Sequence, residues 1–158
     1  MLKRLLAAAT LGAVALAGGF ATAQTGPAHV VDGDTIDVAG RRVRLWGIDA
    51  PESGQLCERG GIDYACGGAA SAHLRALIGD GTVTCVARTT DRYGRTVAVC
   101  HAGTVDIGAA MVSGGWAMAF VRYSSDYVAE ERAARDAGRG LWIGRFTPPW
   151  DWRAARRR

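Results

Sequence analysis

The sequence predicts a single α+β domain. Two β-prone segments, residues 29–38 and 42–48, come first, and three helix patterns and one β-hairpin follow without regular alternation. This order favours an α+β domain over a doubly wound α/β fold. A composition of 49% hydrophobic and 22% charged residues argues against a disordered chain or a coiled coil.

The first 23 residues are typical of a secretory signal peptide. Lys3 and Arg4 precede an apolar run over residues 5–20, and Ala21-Thr22-Ala23 fits the small-residue cleavage pattern. A membrane anchor is the alternative, but the run is Ala/Gly-rich and shorter than the roughly 20 residues of a span. We therefore expect a mature chain from Gln24, exported to the periplasm or the medium.

The strand predictions follow from local composition. Segments 29–38 and 42–48 are rich in Val, Ile, Leu and Trp, and a turn at 39–40 joins them. Gly-rich and Pro-containing residues 49–68 predict a loop. Alternating residues 82–88 and 95–100 predict a hairpin, and 116–121 a short buried strand or an extended segment.

The helix predictions rest on patterns that end at glycines. Residues 69–78, 105–113 and 126–137 are predicted to be helical, with stops at Gly79, Gly114 and Gly138. Leu141 and Trp142 are expected to fold back on the domain, which spans 24–145. The tail 146–158 is rich in Pro, Trp and Arg. We expect a flexible, solvated terminus, and contact of this basic tail with nucleic acid or anionic surfaces is the alternative.

Charge alone gives little support for nucleic-acid binding. Without Lys3 and Arg4 the formal charge falls from +4 to +2, and four arginines lie in the last six residues. The body is therefore close to neutral, and attraction for phosphate must come from the placement of particular side chains.

Four cysteines in an exported chain suggest two disulfides, for which three connectivities exist. Cys85 and Cys100 are favoured as a pair because they lie at matching distances from a hairpin turn at 91–94. Cys57 then pairs with Cys66. A structural zinc site is disfavoured, since no cysteine pair has the short spacing that such sites use.

Residues 31–35 form the first chemical cluster. Asp32 and Asp34 flank Gly33 at the end of an apolar run, and paired carboxylates suit a hard divalent cation. Asp-Gly-Asp is also an ordinary turn sequence, so this cluster alone leaves both interpretations open. An EF-hand is excluded by spacing.

The second cluster contains Arg44, Asp49 and Glu52. A charge within an apolar strand requires a partner, which is either a substrate phosphate or one of these acids in an internal salt bridge. Arg44 and Asp49 differ by five positions and would face opposite ways in one straight strand. Their convergence requires a bulge or a strand end near Gly47.

The third cluster, residues 91–95, is in isolation a turn with a solvated charge pair. In order and spacing, the three clusters together resemble the staphylococcal nuclease (thermonuclease) family, from about Val30 to Trp142. The resemblance implies a five-stranded Greek-key β-barrel of the OB type with three α-helices. It also implies calcium-dependent hydrolysis of DNA and RNA phosphodiesters, leaving 3′-phosphates.

Roles for individual residues follow from the same resemblance. It implies that Asp34 and Asp49 ligate Ca²⁺, that Ala50 contributes its backbone carbonyl, that Asp32 supports them and that Glu52 is the general base. Arg44 and Arg95 would grip the phosphate, and Tyr93 would lie beside the nucleotide. The family often carries Tyr before its last helix, whereas this chain offers Phe120 for stacking and Arg122 or Tyr123 for polar contacts.

A single-stranded substrate is expected, because a small open groove must reach the backbone and stack a base. We expect a monomer without a stable protein partner. The alternatives are a non-catalytic nucleic-acid-binding module on the same barrel and an envelope protein whose charges only stabilise a disulfide-linked fold.

Overall fold

A computed structural model describes residues 23–157 of the chain. Its strands are β1 (Ala23–Val30), β2 (Thr35–Val38), β3 (Arg41–Leu45), β4 (Ile48–Asp49), β5 (Cys57–Arg59), β6 (Ile62–Tyr64), β7 (Thr82–Thr90), β8 (Thr96–Ala102), β9 (Val105–Asp106) and β10 (Met118–Ala119). Its α-helices are α1 (Cys66–Ile78), α2 (Ile107–Ser113), α3 (Val128–Asp136) and α4 (Pro149–Ala155), and a 3₁₀ turn covers Gly140–Ile143.

Five strands close into a barrel, which confirms the predicted OB-type α+β fold. They follow the order β3-β2-β1-β7-β8, and a parallel pairing of β3 with β8 closes the ring. The interior is filled by apolar side chains such as Ile36, Val43, Leu45 and Val83, all at most 1% exposed. Helices α1 and α2 add Leu74 and other side chains to the same core.

Both predicted disulfides are present. Cys85 and Cys100 face each other across the β7–β8 hairpin with their Cα atoms 4.0 Å apart. Cys57 and Cys66 connect β5 to the start of α1, and Leu141 packs against them. The second bridge therefore holds α1 near the segment that follows Asp49.

Several predicted boundaries are wrong. The segment 29–38 is not one strand, because residues 31–34 form a turn between β1 and β2. The predicted loop 49–68 contains two short strands, β5 and β6, and the first residues of α1. Residues 23–157 contain four α-helices rather than the three predicted. The fourth helix, α4, lies in the tail that we expected to be a flexible, solvated terminus.

The expected signal peptide lies outside the described residues, apart from Ala23, which begins β1. Within residues 23–157, no helix is long and apolar enough to cross a membrane.

Candidate active site

A tight turn places Asp34 at the edge of the barrel. The backbone amide of Asp34 donates to Asp32 Oδ1 (3.0 Å), which stabilises the turn. A Cβ on Gly33 would lie 2.6 Å from the Cβ of Ala50, so only glycine allows the turn to approach the chain beyond Asp49 this closely. The Asp34 carboxylate, 5% exposed, accepts from the hydroxyl of Thr35 (2.9 Å) and the amide of Ala50 (3.2 Å).

A turn between Arg44 and Asp49 brings their side chains to the same side of the barrel edge, as their predicted convergence requires. Strand β3 ends at Leu45, and β4 begins at Ile48 after a turn in which Gly47 has φ +71°. The ring of Tyr127 would lie 3.1 Å from a Cβ on Gly47. Both backbone conformation and space therefore require glycine here, and Arg44 and Asp49 reach the same side.

One guanidinium nitrogen joins the two aspartates. Nη2 of Arg44 lies 3.1 Å from Asp34 Oδ2 and 3.0 Å from Asp49 Oδ1. Asp49 is fully buried, and the Arg44 side chain is 19% exposed. The internal salt bridge that the sequence left open as an alternative is therefore present, and it joins Arg44 to both Asp34 and Asp49.

Burial sets the electrostatics of this cluster. Burial raises the pKa of Asp34, and the negative charge of Asp32 raises it further while Arg44 opposes the rise. Burial and the charge of Asp34 also raise the pKa of Asp49 against two arginine partners. Burial disfavours the charge of Arg44, but the two aspartates raise its pKa above the ordinary value. Two desolvated carboxylates side by side favour any cation that reaches them.

Arg153, from the tail helix α4, is the second cation in the cluster. Its Nη2 lies 2.7 Å from Asp49 Oδ2, and its Nη1 lies 3.0 Å from Asp49 Oδ1 and 2.7 Å from Glu52 Oε1. The hydrogen bond to Asp49 raises the pKa of Arg153, and Glu52 contributes further. Arg153 was not predicted as a site residue, because the tail was expected to be a solvated terminus.

Glu52 follows the buried residues Asp49, Ala50 and Pro51, and its side chain is 33% exposed. Its backbone is fixed by Gln55, which accepts from the Glu52 amide through Oε1 (3.2 Å) and donates its own amide to the Glu52 carbonyl (2.8 Å). The structure therefore brings four of the predicted site residues, Arg44, Asp34, Asp49 and Glu52, into one charged cluster.

Arg95 lies outside that cluster. Its Nε donates to Asp91 Oδ2 (2.7 Å), and Asp91 Oδ1 accepts from the amides of Tyr93 and Arg95 (2.9 Å each). Burial opposes the charge of Asp91, but the Arg95 and Tyr93 bonds lower its pKa. Arg95 precedes β8, which pairs with β3 through Val97 and Arg44. Arg95 thus lies two residues before the position that pairs with Arg44, and its guanidinium is held by Asp91.

The predicted nucleotide contacts lie on two surfaces. Tyr93 is 68% exposed in the hairpin turn, and the guanidinium carbons of Arg92 and Arg95 lie 4.8 Å and 5.6 Å from the centre of its ring. Phe120 is held by its amide, which donates to the Gly47 carbonyl (2.8 Å), and its ring stacks on Trp150 of α4 (5.7 Å, 19°). Arg122 and Tyr123 are exposed next to it. One face of the expected stacking residue is thus covered by the tail.

The donor chemistry of the cluster fits a hard divalent cation. Asp34 and Asp49 offer only oxygen atoms, both lie against one nitrogen of Arg44, and both are penalised by burial unless a positive charge is near. Among residues 23–157, no group of three or more His, Cys, Asp or Glu side chains is arranged to hold a metal ion. The carboxylates of Asp34 and Asp49 are thus the oxygen ligands that this cluster offers to such a cation.

Comparison with known proteins gives consistent matches. Residues 42–144 match the model of a family described as staphylococcal nuclease homologue. The chain is 37% identical over 145 residues to micrococcal nuclease from Shigella flexneri, which covers 80% of this chain and 78% of that one. It is 36% identical over 146 residues to succinoglycan biosynthesis protein ExoI from Rhizobium meliloti, covering 84% and 75%. An uncharacterized endonuclease from Haemophilus influenzae is 33% identical over 120 residues, covering 72% and 62%.

Proposed function

The chain belongs to the staphylococcal nuclease family and is a hydrolase of nucleic-acid ester bonds, and from this premise we propose an exported, calcium-dependent phosphodiesterase that cleaves DNA and RNA. The observation that carries the proposal is the contact of one Arg44 nitrogen with both Asp34 and Asp49. It joins a phosphate-binding group and two hard oxygen ligands at one edge of the barrel.

Asp34 and Asp49 would hold the calcium ion, together with the carbonyl of Ala50, and Asp32 supports Asp34 through the turn hydrogen bond. When bound, calcium supplies positive charge that polarises the phosphodiester and balances the two buried carboxylates. Glu52 is the carboxylate that orients and deprotonates the attacking water. Its partial exposure leaves room for that water beside the cluster.

Arg44 binds the phosphate and stabilises the charge that develops on its oxygens, a task that suits a planar, permanently charged fork. Arg95 is proposed to bind the same phosphate from the other side. For this its guanidinium leaves Asp91, which is 17% exposed and can be solvated in its place. Such a rearrangement on substrate binding is common for side chains at binding surfaces.

The substrate is proposed to be single-stranded or frayed DNA and RNA, with 3′-phosphates as products and a monomeric enzyme. Tyr93 offers an exposed aromatic surface on which a base can stack. Phe120 already stacks on Trp150, so a base could contact only the remainder of its ring, with Arg122 and Tyr123 exposed beside it. Export to the periplasm or the medium is supported by the N-terminal segment and the two disulfides, since disulfides persist in oxidising compartments.

The test is cleavage of denatured DNA and of RNA by the purified protein, with calcium or with a chelator. We expect cleavage only with calcium and a loss of about 10³-fold in kcat for Arg44→Ala and Glu52→Gln. Arg41→Ala removes an exposed arginine from the same strand and is expected to leave activity unchanged. Cleavage in the presence of chelator contradicts the calcium dependence, and strand binding without cleavage favours a non-catalytic module.

A further inference from the structure

Helix α4 is anchored by contacts that do not involve its arginines. Pro149 is buried, and the buried side chain of Gln55 donates to the carbonyl of Thr147 (2.6 Å) just before the helix. Trp150 stacks on Phe120. Because these contacts tie α4 to the segment after Asp49 and to the segment after β10, the helix is part of the wall of the site.

Arg153 extends from this helix into the carboxylate cluster and contacts two acids at once. One nitrogen is shared between Asp49 Oδ1 and Glu52 Oε1, and the other bonds Asp49 Oδ2 (2.7 Å). Within residues 23–157, Arg153 is the hydrogen-bond partner of the Glu52 carboxylate. The orientation of that carboxylate therefore depends on an arginine about a hundred residues away in the chain.

The fork geometry matters for this role. A guanidinium holds two carboxylates in one plane, whereas an ammonium acts as a point charge on a flexible stem. With Arg153 in place, Glu52 and Asp49 keep a fixed separation, although Glu52 is one-third exposed and otherwise free to turn into solvent.

We propose that Arg153 is a positioning residue for hydrolysis: it holds the Glu52 carboxylate at a fixed place beside Asp49 and acts through these two acids. The inference rests on the proposed function, in which Glu52 activates water and Asp49 holds the cation. Arg153 does not itself contact the phosphate.

The test compares Arg153→Ala, Arg153→Lys and Arg157→Ala in the full chain under saturating calcium. We expect kcat of Arg153→Ala to fall about 10²-fold with KM changed less than about threefold, because the base is misplaced while the strand still binds. The kcat of Arg153→Lys should be about tenfold higher than that of Arg153→Ala, since the single ammonium group of lysine can reach only part of the cluster. Arg157, exposed in the same tail, controls for the loss of one positive charge.

Two further measurements separate positioning from simple structural support. Binding of a single-stranded phosphorothioate oligonucleotide, followed by fluorescence anisotropy, should be unchanged in Arg153→Ala. Thermal unfolding should show coupling, so that adding Glu52→Gln to Arg153→Ala lowers the midpoint no further. The inference is overturned if Arg153→Ala lowers the midpoint of thermal unfolding but has the kcat of the wild type at temperatures well below that midpoint.

The remaining outcomes of these experiments also test the positioning role of Arg153. A higher kcat in Arg153→Ala would overturn positioning and make the α4 contact an inhibitory one. A weaker oligonucleotide affinity with unchanged kcat would overturn it in favour of direct strand binding. A wild-type protein without cleavage under any calcium concentration rejects the proposed function, whereas an active wild type with an unaffected Arg153→Ala rejects this inference alone.

Discussion

Substitution of Gly67 by alanine tests how the proposed base is held. Gly67 lies in the first turn of α1, and a Cβ there would be 1.8 Å from the carbonyl oxygen of Glu52 and 2.6 Å from its carbonyl carbon. Ordinary van der Waals contact begins at 3.4 Å. Either α1 or the backbone of Glu52 must therefore shift by about 1.5 Å, a displacement of the size that costs a catalytic group about 10²-fold in rate.

The start of α1 is tied by the Cys57–Cys66 disulfide, so we expect the Glu52 segment to move. Overpacking should reduce the free energy of unfolding by about 1–3 kcal/mol, partly offset by the greater helix propensity of alanine, up to about 1 kcal/mol. The apparent kcat on denatured DNA should fall by more than the fraction of unfolded Gly67→Ala protein accounts for.

Gly68→Ala is the matched control, because its Cβ would meet only the Cβ of Ala65 at 3.8 Å. The free energy of unfolding of this variant, measured by urea titration, should rise by up to about 1 kcal/mol, and its activity should equal that of the wild type. If Gly67→Ala cleaves DNA as well as Gly68→Ala does, the close approach of α1 does not position Glu52.

Two further predictions concern stability. Tyr127 is buried and its hydroxyl donates to Asp106 (3.0 Å), the N-cap of α2, so Tyr127→Phe should lower the free energy of unfolding by about 1.5 kcal/mol in urea titrations; an unchanged value would contradict this. Burial lowers the pKa of His73 below 6.5, so the unfolded chain takes up its proton first as pH falls. Stability is then lost below about pH 6.5, and His73→Gln should show a smaller drop in unfolding midpoint between about pH 7.5 and pH 5.5 than the wild type; equal drops would contradict the assignment.

Features specified by neighbouring residues could be predicted from the sequence. The β7–β8 hairpin and its Cys85–Cys100 bridge follow from spacing around one turn, and the register pairs these cysteines directly. The strand end near Gly47 was predicted because Arg44 and Asp49 could not otherwise meet. Both predictions use the two-residue period of a strand and need no knowledge of distant contacts.

Strand β1 could not be predicted in full, because its partners define it. Its first half, residues 23–27, contains Gly26 and Pro27 and has little intrinsic preference for extended structure. It is a strand because residues 23–27 pair with β7 while residues 28–30 pair with β2. Pro27 lies where β1 changes partner, next to the close approach of Gly26 and Ala39. Long-range pairing therefore overrides local propensity here.

The tail shows which part of a site a sequence can specify. Prolines at 148 and 149 followed by Asp151 are a helix start with the favoured acidic first turn, and Trp150 and Arg153 are three residues apart and share a face. The helix itself was thus predictable. Its docking was not, because it depends on Gln55 and Phe120, far away in the chain. Arg156 lies over Trp152, whereas Arg153 reaches two acids, so a charge count of the tail cannot distinguish a solvated arginine from one that belongs to the site.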